Sequence, residues 1–207
     1  MQKQLPNPLL PSRYYAGLVT ANCLLIGLAI VLYNESFDLI RYPISYSGTW
    51  LTEHGNPNHL SALSFGGAMA ISAGVMFVIA NAYAGTAQRH RASLSLMAAI
   101  GFVFATFSPN DLRHETHALG STFAITALWL IALTYLQEIG PYTKPPRYLF
   151  LFCVLNVPLI AYATTNFLNK DEPSFMLQKF ALAGLAFVLM LSVRLAEQHQ
   201  RGYCRTP

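Results

Sequence analysis

Two short segments of the chain carry most of its imidazole groups. Residues 45–59 read Ser-Tyr-Ser-Gly-Thr-Trp-Leu-Thr-Glu-His-Gly-Asn-Pro-Asn-His, and residues 108–117 read Ser-Pro-Asn-Asp-Leu-Arg-His-Glu-Thr-His. Together they hold four of the six histidines of the chain. Imidazole nitrogens and carboxylate oxygens are ligands that Zn²⁺ takes in proteins, and imidazoles also transfer protons near neutral pH. These segments could therefore carry either a metal-dependent reaction or a hydrogen-bonded cluster.

The first hypothesis is a zinc site that hydrolyses a lipid ester or amide. A helix beginning near Asp111 would be capped by that carboxylate and would place His114 and His117 on one face. His59 opens another apolar run at a similar depth. These four residues are the predicted zinc ligands, with an open position for a water whose pKa the metal would lower. The catalytic set would be Ser47 with Asp111, His114 and His117.

The second hypothesis is a non-enzymatic cluster that needs no cofactor. A His-x-x-His pair without a further signature is a weak metal motif, and histidines at the ends of apolar runs often bind loop carbonyls or lipid headgroups. The cluster would then order the loops or face headgroups. The residues that their own chemistry assigns to this role are His54, His59, His117 and Lys179. The sequence leaves both hypotheses open.

Six long apolar runs supply the elements that must position these residues. Each is close to the ~20 residues that an α-helix needs to cross ~30 Å of hydrocarbon. The runs are 14–34, 60–84, 92–110, 118–137, 148–168 and 175–195. The first five contain no Asp, Glu, Lys or Arg, and only 11% of the whole chain is charged, against about 25% in soluble domains. We predict an all-α integral membrane protein with six transmembrane helices in a single domain, 1–207.

The charges outside these runs divide unequally between the two sides of such a domain. One side would carry Lys3, Arg13, Arg89, Arg91, Lys144, Arg147, Arg194, Arg201 and Arg205. The other would carry Arg41, Arg113, Lys170, Glu35, Asp38, Glu53, Asp111, Glu115, Asp171 and Glu172. Because Lys and Arg in short loops stay in the cytoplasm, both termini are predicted to be cytoplasmic, with the protein in the plasma membrane. The basic residues form no single patch, so membrane lipids rather than nucleic acid are the predicted partners; the oligomeric state stays open.

The second run predicts a contact between helices. Gly66, Ala70 and Gly74 recur every four residues and would make one smooth stripe. Small residues allow the close helix approach that holds membrane bundles together. We therefore expect this stripe to form a helix–helix seam inside the bundle.

Lys179 lies about one turn inside the sixth run. Its side chain would either extend outward to the headgroups or face the bundle. In the second case we expect it to pair with Asp111 or Glu53, which would mark a functional site.

The first segment also resembles a known family. Residues 44–49, Ile-Ser-Tyr-Ser-Gly-Thr, followed by Glu53, resemble the Ile-Ser-Asp-Thr-Gly-Thr…Pro-Glu segment of the DRAM-like proteins. These are the damage-regulated autophagy modulators and their relatives in GPI-lipid remodelling. His117 resembles a histidine of that family, and a bacterial six-span family of unknown function is similar at the same points. The resemblance implies six spans, cytoplasmic termini and lipid-linked regulation without a catalytic residue, with Gly48, Thr49, Glu53 and His117 ordering the loop or facing headgroups.

A competing resemblance supports the enzymatic hypothesis. The alkaline ceramidases and progestin/adipoQ receptors combine a Ser, an Asp and several His around zinc in seven helices. Ser47, Asp111, His114 and His117 are similar to that set. This resemblance implies a zinc-dependent lipid hydrolase, and it ranks second.

Overall fold

In the residues that the structure describes, each of the six predicted runs forms a helix. A computed structural model describes residues 10–140, 144–163 and 175–203. Its helices are α1 (Leu10–Val31), α2 (His59–Ala84), α3 (Arg89–Phe107), α4 (His114–Ile139), α5 (Pro145–Ala163) and α6 (Met176–Tyr203). A 3-10 helix, Ile44–Gly48, lies between α1 and α2. Within the described ranges the chain has no β-strand beyond one bridge between Leu51 and Pro57, so the all-α class is confirmed. Outside these ranges lie 164–168 of the fifth run and Lys3, Lys170, Asp171, Glu172 and Arg205.

The helices have the length and composition of membrane spans. Five of them, α1, α2, α3, α4 and α6, are long and apolar enough to cross a membrane, while the apolar part of α5 covers only Arg147–Ala161 among the described residues. Large apolar side chains such as Phe77, Phe150 and Phe187 are exposed on helix surfaces. Such surfaces are favourable against hydrocarbon, where a helix satisfies its own backbone hydrogen bonds. The fold therefore fits a membrane protein.

The helices close into one bundle. Helices α1 to α4 pack in chain order, α4 and α5 both pack against α6, and α6 returns to α1. A core runs through the middle of the bundle and takes large, fully buried side chains from five of the helices. These are Tyr15, Met76, Ile131, Leu155 and Leu189. A smaller cluster around Phe65 and Ala105 lies nearer to the loops that follow α1 and α3.

Helices α3 and α4 approach each other closely at two glycines. A Cβ on Gly101 would lie 2.6 Å from the carbonyl oxygen of Gly120 and 2.6 Å from the backbone nitrogen of Ala124. A Cβ on Gly120 would lie 2.6 Å from Phe104 Cβ. Real Cβ atoms do not come so near to backbone atoms, so this seam requires glycine on both helices.

The stripe on α2 is not a seam within the bundle. A Cβ added at Gly66 or Gly74 would have no atom within 4 Å, and Ala70 is exposed. The prediction of an internal seam here is wrong. A four-residue period identifies a smooth face of a helix, but the direction of that face depends on how the helix is rotated in the bundle.

Cross-helix contacts show which loops share an end of the bundle. The Ser12 N–H donates to Glu197 Oε1 at 2.9 Å, which joins the start of α1 to the end of α6. At the opposite end, Asp111 after α3 binds backbone N–H groups between α1 and α2. We call residues 32–58 and 108–113 the cap. We call the opposite end of the bundle the termini end. It contains the start of α1, the end of α6 and the loop between α2 and α3.

Candidate functional site

A single carboxylate organises the tip of the cap. Glu35 accepts hydrogen bonds from the Thr52 hydroxyl, from His54 Nδ1 at 2.7 Å and from Asn56 Nδ2 at 2.8 Å. The loop turns at Gly55, whose φ of 83° lies in the left-handed region that favours glycine. The bonds from Thr52 and then His54 lower the pKa of Glu35 to about 2, and the bond to Glu35 raises the pKa of His54.

Asn58 joins the two arms of the loop from inside the cap. Its side chain is 2% exposed. Its Nδ2 donates to the Thr49 carbonyl at 2.9 Å, and its Oδ1 accepts the Asn34 N–H at 3.3 Å. A buried amide must find partners for both of its ends, and these two bonds tie the residue before α2 to the end of the 3-10 helix and to the loop after α1.

The predicted residues at 47–49 hold the 3-10 helix against α2. The hydroxyls of Ser47 and Thr49 each donate to the carbonyl three residues earlier, at 2.8 Å. A Cβ on Gly48 would lie 2.4 Å from the ring of Phe65. Ser61 Oγ lies 2.6 Å from the Ser47 carbonyl oxygen. These residues serve local packing and backbone satisfaction.

Asp111 binds a different partner from the predicted one. Helix α4 begins at His114 with Arg113 at its N-cap, so the prediction that Asp111 caps α4 is wrong. Instead, Asp111 Oδ2 accepts the N–H groups of Trp50 at 3.0 Å and Leu51 at 3.1 Å. Asp111 lies three residues before the first residue of α4, and its carboxylate binds two amides of another loop instead of the helix end. This contact ties the two segments of the cap together.

The histidines of the cap end bind near neighbours in the chain. His114 Nδ1 lies 2.7 Å from Asn110 Oδ1. His117 is buried, and its Nδ1 lies 2.8 Å from the Ser108 carbonyl oxygen. His59 is exposed at the first position of α2.

The predicted zinc set is not brought together. Across 10–140, 144–163 and 175–203, no three His, Cys, Asp or Glu side chains form a group that could hold a metal ion. The set was His59, Asp111, His114 and His117. Helix spacing does place the last two near each other, but their ring nitrogens bind separate loop groups. Ser47, which would complete the catalytic set, donates its hydroxyl to a backbone carbonyl.

The two remaining predicted residues meet at Tyr42. Glu53 accepts a hydrogen bond from the Tyr42 hydroxyl, which raises the pKa of that phenol to about 12. Lys179 Nζ donates to the Tyr42 carbonyl at 2.7 Å and to the Phe175 carbonyl at 3.2 Å. The described hydrogen bonds of Lys179 thus go to backbone oxygens. The predicted pair with Asp111 or Glu53 is not among them.

A polar cluster that the sequence does not predict lies at the termini end. The Arg91 side chain is 3% exposed. Its Nη2 donates to Glu138 Oε2 at 2.6 Å, and its Nε donates to Thr134 Oγ1 at 3.1 Å. The guanidinium carbon lies 3.8 Å from the ring centroid of Tyr135. The sequence predicts Arg91 in the loop before the third run, whereas the structure places it inside the bundle between α3 and α4.

Two more tyrosines complete this Arg91 cluster. The hydroxyls of Tyr83 and Tyr135 are 2.7 Å apart, and Tyr15 packs edge-on against Tyr135 at 6.4 Å between ring centroids. Four helices therefore meet at one buried cation. A signal was present in the sequence, because Arg91 directly precedes the third run and Glu138 directly follows the fourth. Because α3 and α4 are antiparallel neighbours, the start of α3 and the end of α4 lie at the same end of the bundle.

Comparison with protein-family models, curated proteins and solved structures finds no match to this chain. The resemblance to the DRAM-like proteins stays a prediction, and so does the resemblance to the ceramidase group.

Proposed function

We propose that the protein is a non-enzymatic, six-span protein of the plasma membrane that associates with lipid, with both termini in the cytoplasm and the cap outside. One observation carries the non-enzymatic part of this proposal. The polar side chains of the cap bind its own backbone and each other, as Asp111, Asn58 and Glu35 do. Such bonds order a loop, whereas a catalytic site needs groups that converge on a substrate.

Two observations support six spans. Five helices have the length and hydropathy of a membrane span. The fifth run continues for five residues beyond the described end of α5, through 164–168, which gives a total near the ~20 residues that a span requires. An even number of spans puts both ends of the chain on one side.

The distribution of charge supports the orientation. Arg13, Arg89, Lys144 and Arg147 are all exposed near the termini end. The cap instead contains more carboxylates than basic residues. Short loops rich in Lys and Arg stay in the cytoplasm, so the termini end is the cytoplasmic one.

Topology can be tested with cysteine labelling. In a variant whose three cysteines are replaced by alanine, we would introduce His54→Cys or Arg147→Cys and add a membrane-impermeant maleimide. We expect labelling of the His54→Cys variant in intact cells, and labelling of the Arg147→Cys variant only after permeabilisation. Both sites are exposed, so the reverse pattern, or labelling of both in intact cells, would refute the topology.

The lipid-associated role can be separated from catalysis with purified protein. We expect phospholipid to remain bound after detergent washing, metal analysis to find no stoichiometric zinc, and incubation with ester- and amide-linked lipids to release no fatty acid. The matched variants are His114→Ala and His117→Ala. Stoichiometric zinc that is lost in these variants, together with lipid hydrolysis, would instead establish the hydrolase.

A further inference from the structure

Hydrogen bonds within the turn 38–42 of the cap hold its backbone in one shape. Asp38 Oδ1 accepts the N–H groups of Ile40 at 2.8 Å and Arg41 at 3.1 Å, and these bonds, the one from Arg41 first, lower the pKa of Asp38. The Tyr42 N–H donates to the Asp38 carbonyl at 2.9 Å. The ring of Tyr42 also stacks on Tyr46 at 5.2 Å between centroids. The shape of this turn is therefore set independently of what covers it.

The turn is also attached to the start of α6. The Phe175 N–H donates to the Ile40 carbonyl at 2.8 Å, and Lys179 Nζ donates to the Tyr42 carbonyl at 2.7 Å. The turn consequently lies beside the first turn of α6. Because α6 is long and apolar enough to cross a membrane, its first turn marks the level of the lipid headgroups.

At that level the turn exposes apolar side chains. Leu39 is 48% exposed and Ile40 is 58% exposed. On the adjoining first turns of α6, Leu177 is 44% exposed and Phe180 is 67% exposed. Two consecutive aliphatic side chains on a rigid turn are unfavourable in water. They are favourable where the acyl chains of a bilayer begin.

Cationic groups lie beside these apolar side chains. Arg41 is exposed and directly follows Ile40. Lys179 adds a second positive charge at the Tyr42 carbonyl. The carboxylate that faces them, Asp38, is bonded to backbone N–H groups. A guanidinium binds two phosphate oxygens at once, and apolar side chains flanked by basic ones are typical of segments that lie in the membrane interface.

We infer that the turn 38–42 and Lys179 form an interfacial phospholipid site, in which Leu39 and Ile40 enter the outer leaflet and Arg41 binds the lipid phosphate. This site rests on the proposed membrane topology and gives the lipid association a location and a chemistry. The partner is a phosphate-bearing membrane lipid rather than a neutral one. The described hydrogen bonds of Ile40 and Arg41 use their backbone atoms, so the side chains of Leu39, Ile40 and Arg41 can be altered without unfolding the protein.

The depth of the turn can be measured in vesicles of phosphatidylcholine with brominated acyl chains. In the variant without native cysteines, we would attach a fluorophore to Ile40→Cys, which keeps the bonds of residue 40 because they use its backbone. The matched sites are His54→Cys in the cap and Phe187→Cys on α6. We expect the bromolipid to quench residue 40, and aqueous iodide to quench residue 54.

The third label separates failure of this inference from failure of the proposed function. Quenching by bromolipid at residue 187 but not at residue 40 would overturn the interfacial site and leave the membrane topology intact. Absence of quenching at both would overturn the topology and the site together. Quenching by bromolipid at residues 40 and 187 supports the membrane topology and the interfacial site.

Phosphate recognition is tested by lipid retention in detergent, measured by mass spectrometry. We expect Arg41→Gln to lower the retained phosphatidylcholine roughly tenfold, the loss of one charge-assisted hydrogen bond. Arg41→Lys should restore part of it, and His54→Gln should change nothing. Unchanged retention in Arg41→Gln, or equal retention of diacylglycerol with the same chains, would overturn the phosphate contact.

Discussion

The cap and the Arg91 cluster both join helices through polar side chains, but their surroundings differ. In the cap, carboxylates such as Glu35 and Asp111 bind exposed loop groups. In the Arg91 cluster, a buried guanidinium binds Glu138 and lies against the ring of Tyr135. Water can replace a lost partner at the exposed His54 side chain but does not reach the buried Arg91 guanidinium. Burial, rather than the number of hydrogen bonds, should therefore decide what each region contributes to stability.

The largest effect is expected in the Arg91 cluster. Arg91→Met removes a buried cation together with the hydrogen bonds that it donates to Glu138 and Thr134. We expect it to lower the free energy of unfolding by about 3–5 kcal/mol, measured by denaturant unfolding in detergent. The control is Arg89→Gln in the same helix, where the side chain is exposed and the change should stay within about 0.5 kcal/mol. Equal losses would show that burial of Arg91 has no energetic importance.

A pair of glycines extends the comparison to packing without charge. Gly101→Ala would place a methyl group 2.6 Å from backbone atoms of α4, so we expect a loss of about 1–3 kcal/mol from forced helix separation. Gly74→Ala has open space around it and should stabilise by up to about 1 kcal/mol through helix propensity. The same unfolding measurement checks both variants. A loss at position 74 equal to that at 101 would contradict the assignment of the seam.

Two asparagines test the role of burial within the cap itself. Asn58→Ala removes a buried amide from the Thr49 carbonyl, and we expect a loss of about 1–3 kcal/mol. Asn56→Ala removes an exposed amide from Glu35 and should cost less than about 0.5 kcal/mol. Thermal unfolding followed by circular dichroism compares them. If Asn56→Ala were the more damaging change, the cap would depend on its exposed carboxylate instead.

The smallest effect should be a pH dependence from Glu35 and His54. The pKa of Glu35 is lowered from 4.5 to about 2, so its stabilisation is complete above pH 4.5 and is lost as the pH falls through about 2. The pKa of His54 is raised above 6.5, so its stabilisation is complete below pH 6.5 and is lost as the pH rises through the higher folded value. The pair should therefore stabilise most between about pH 4.5 and 6.5.

The difference in melting temperature between wild type and Glu35→Gln, followed from pH 3 to 9, measures this dependence. When the same difference in melting temperature is measured in the His54→Gln background, its decline at high pH should disappear and its decline at low pH should remain. A flat difference across the range would mean that water screens the exposed pair completely.

The sequence predicted the helices well and their contacts poorly. The six apolar runs correspond to α1 to α6 because hydropathy along a segment is a local property. Contacts between helices are not local. The α2 stripe predicted a seam, yet the seam lies at Gly101 and Gly120, since one residue of helix rotation turns a face by about 100°.

The candidate site illustrates the same limit. Helix spacing correctly placed His114 and His117 near each other in α4, but the spacing carries no information on which loop group each ring meets. Asp111 has the residue type of a helix cap and instead binds the loop after α1. Arg91 has the residue type of a loop cation and is buried instead, because an opposite charge and aromatic rings from other helices surround it.

The amino-acid sequence by itself determined the all-α class, the number and approximate limits of the apolar helices, and the separation of acidic from basic loops. These follow from the transfer free energies of successive residues and from the backbone's need to bond to itself. Only the tertiary structure decided the partner of each polar side chain. A hydrogen bond forms over about 3 Å, and the residues that meet at that distance here, such as Asp111 and Trp50, are far apart in the chain.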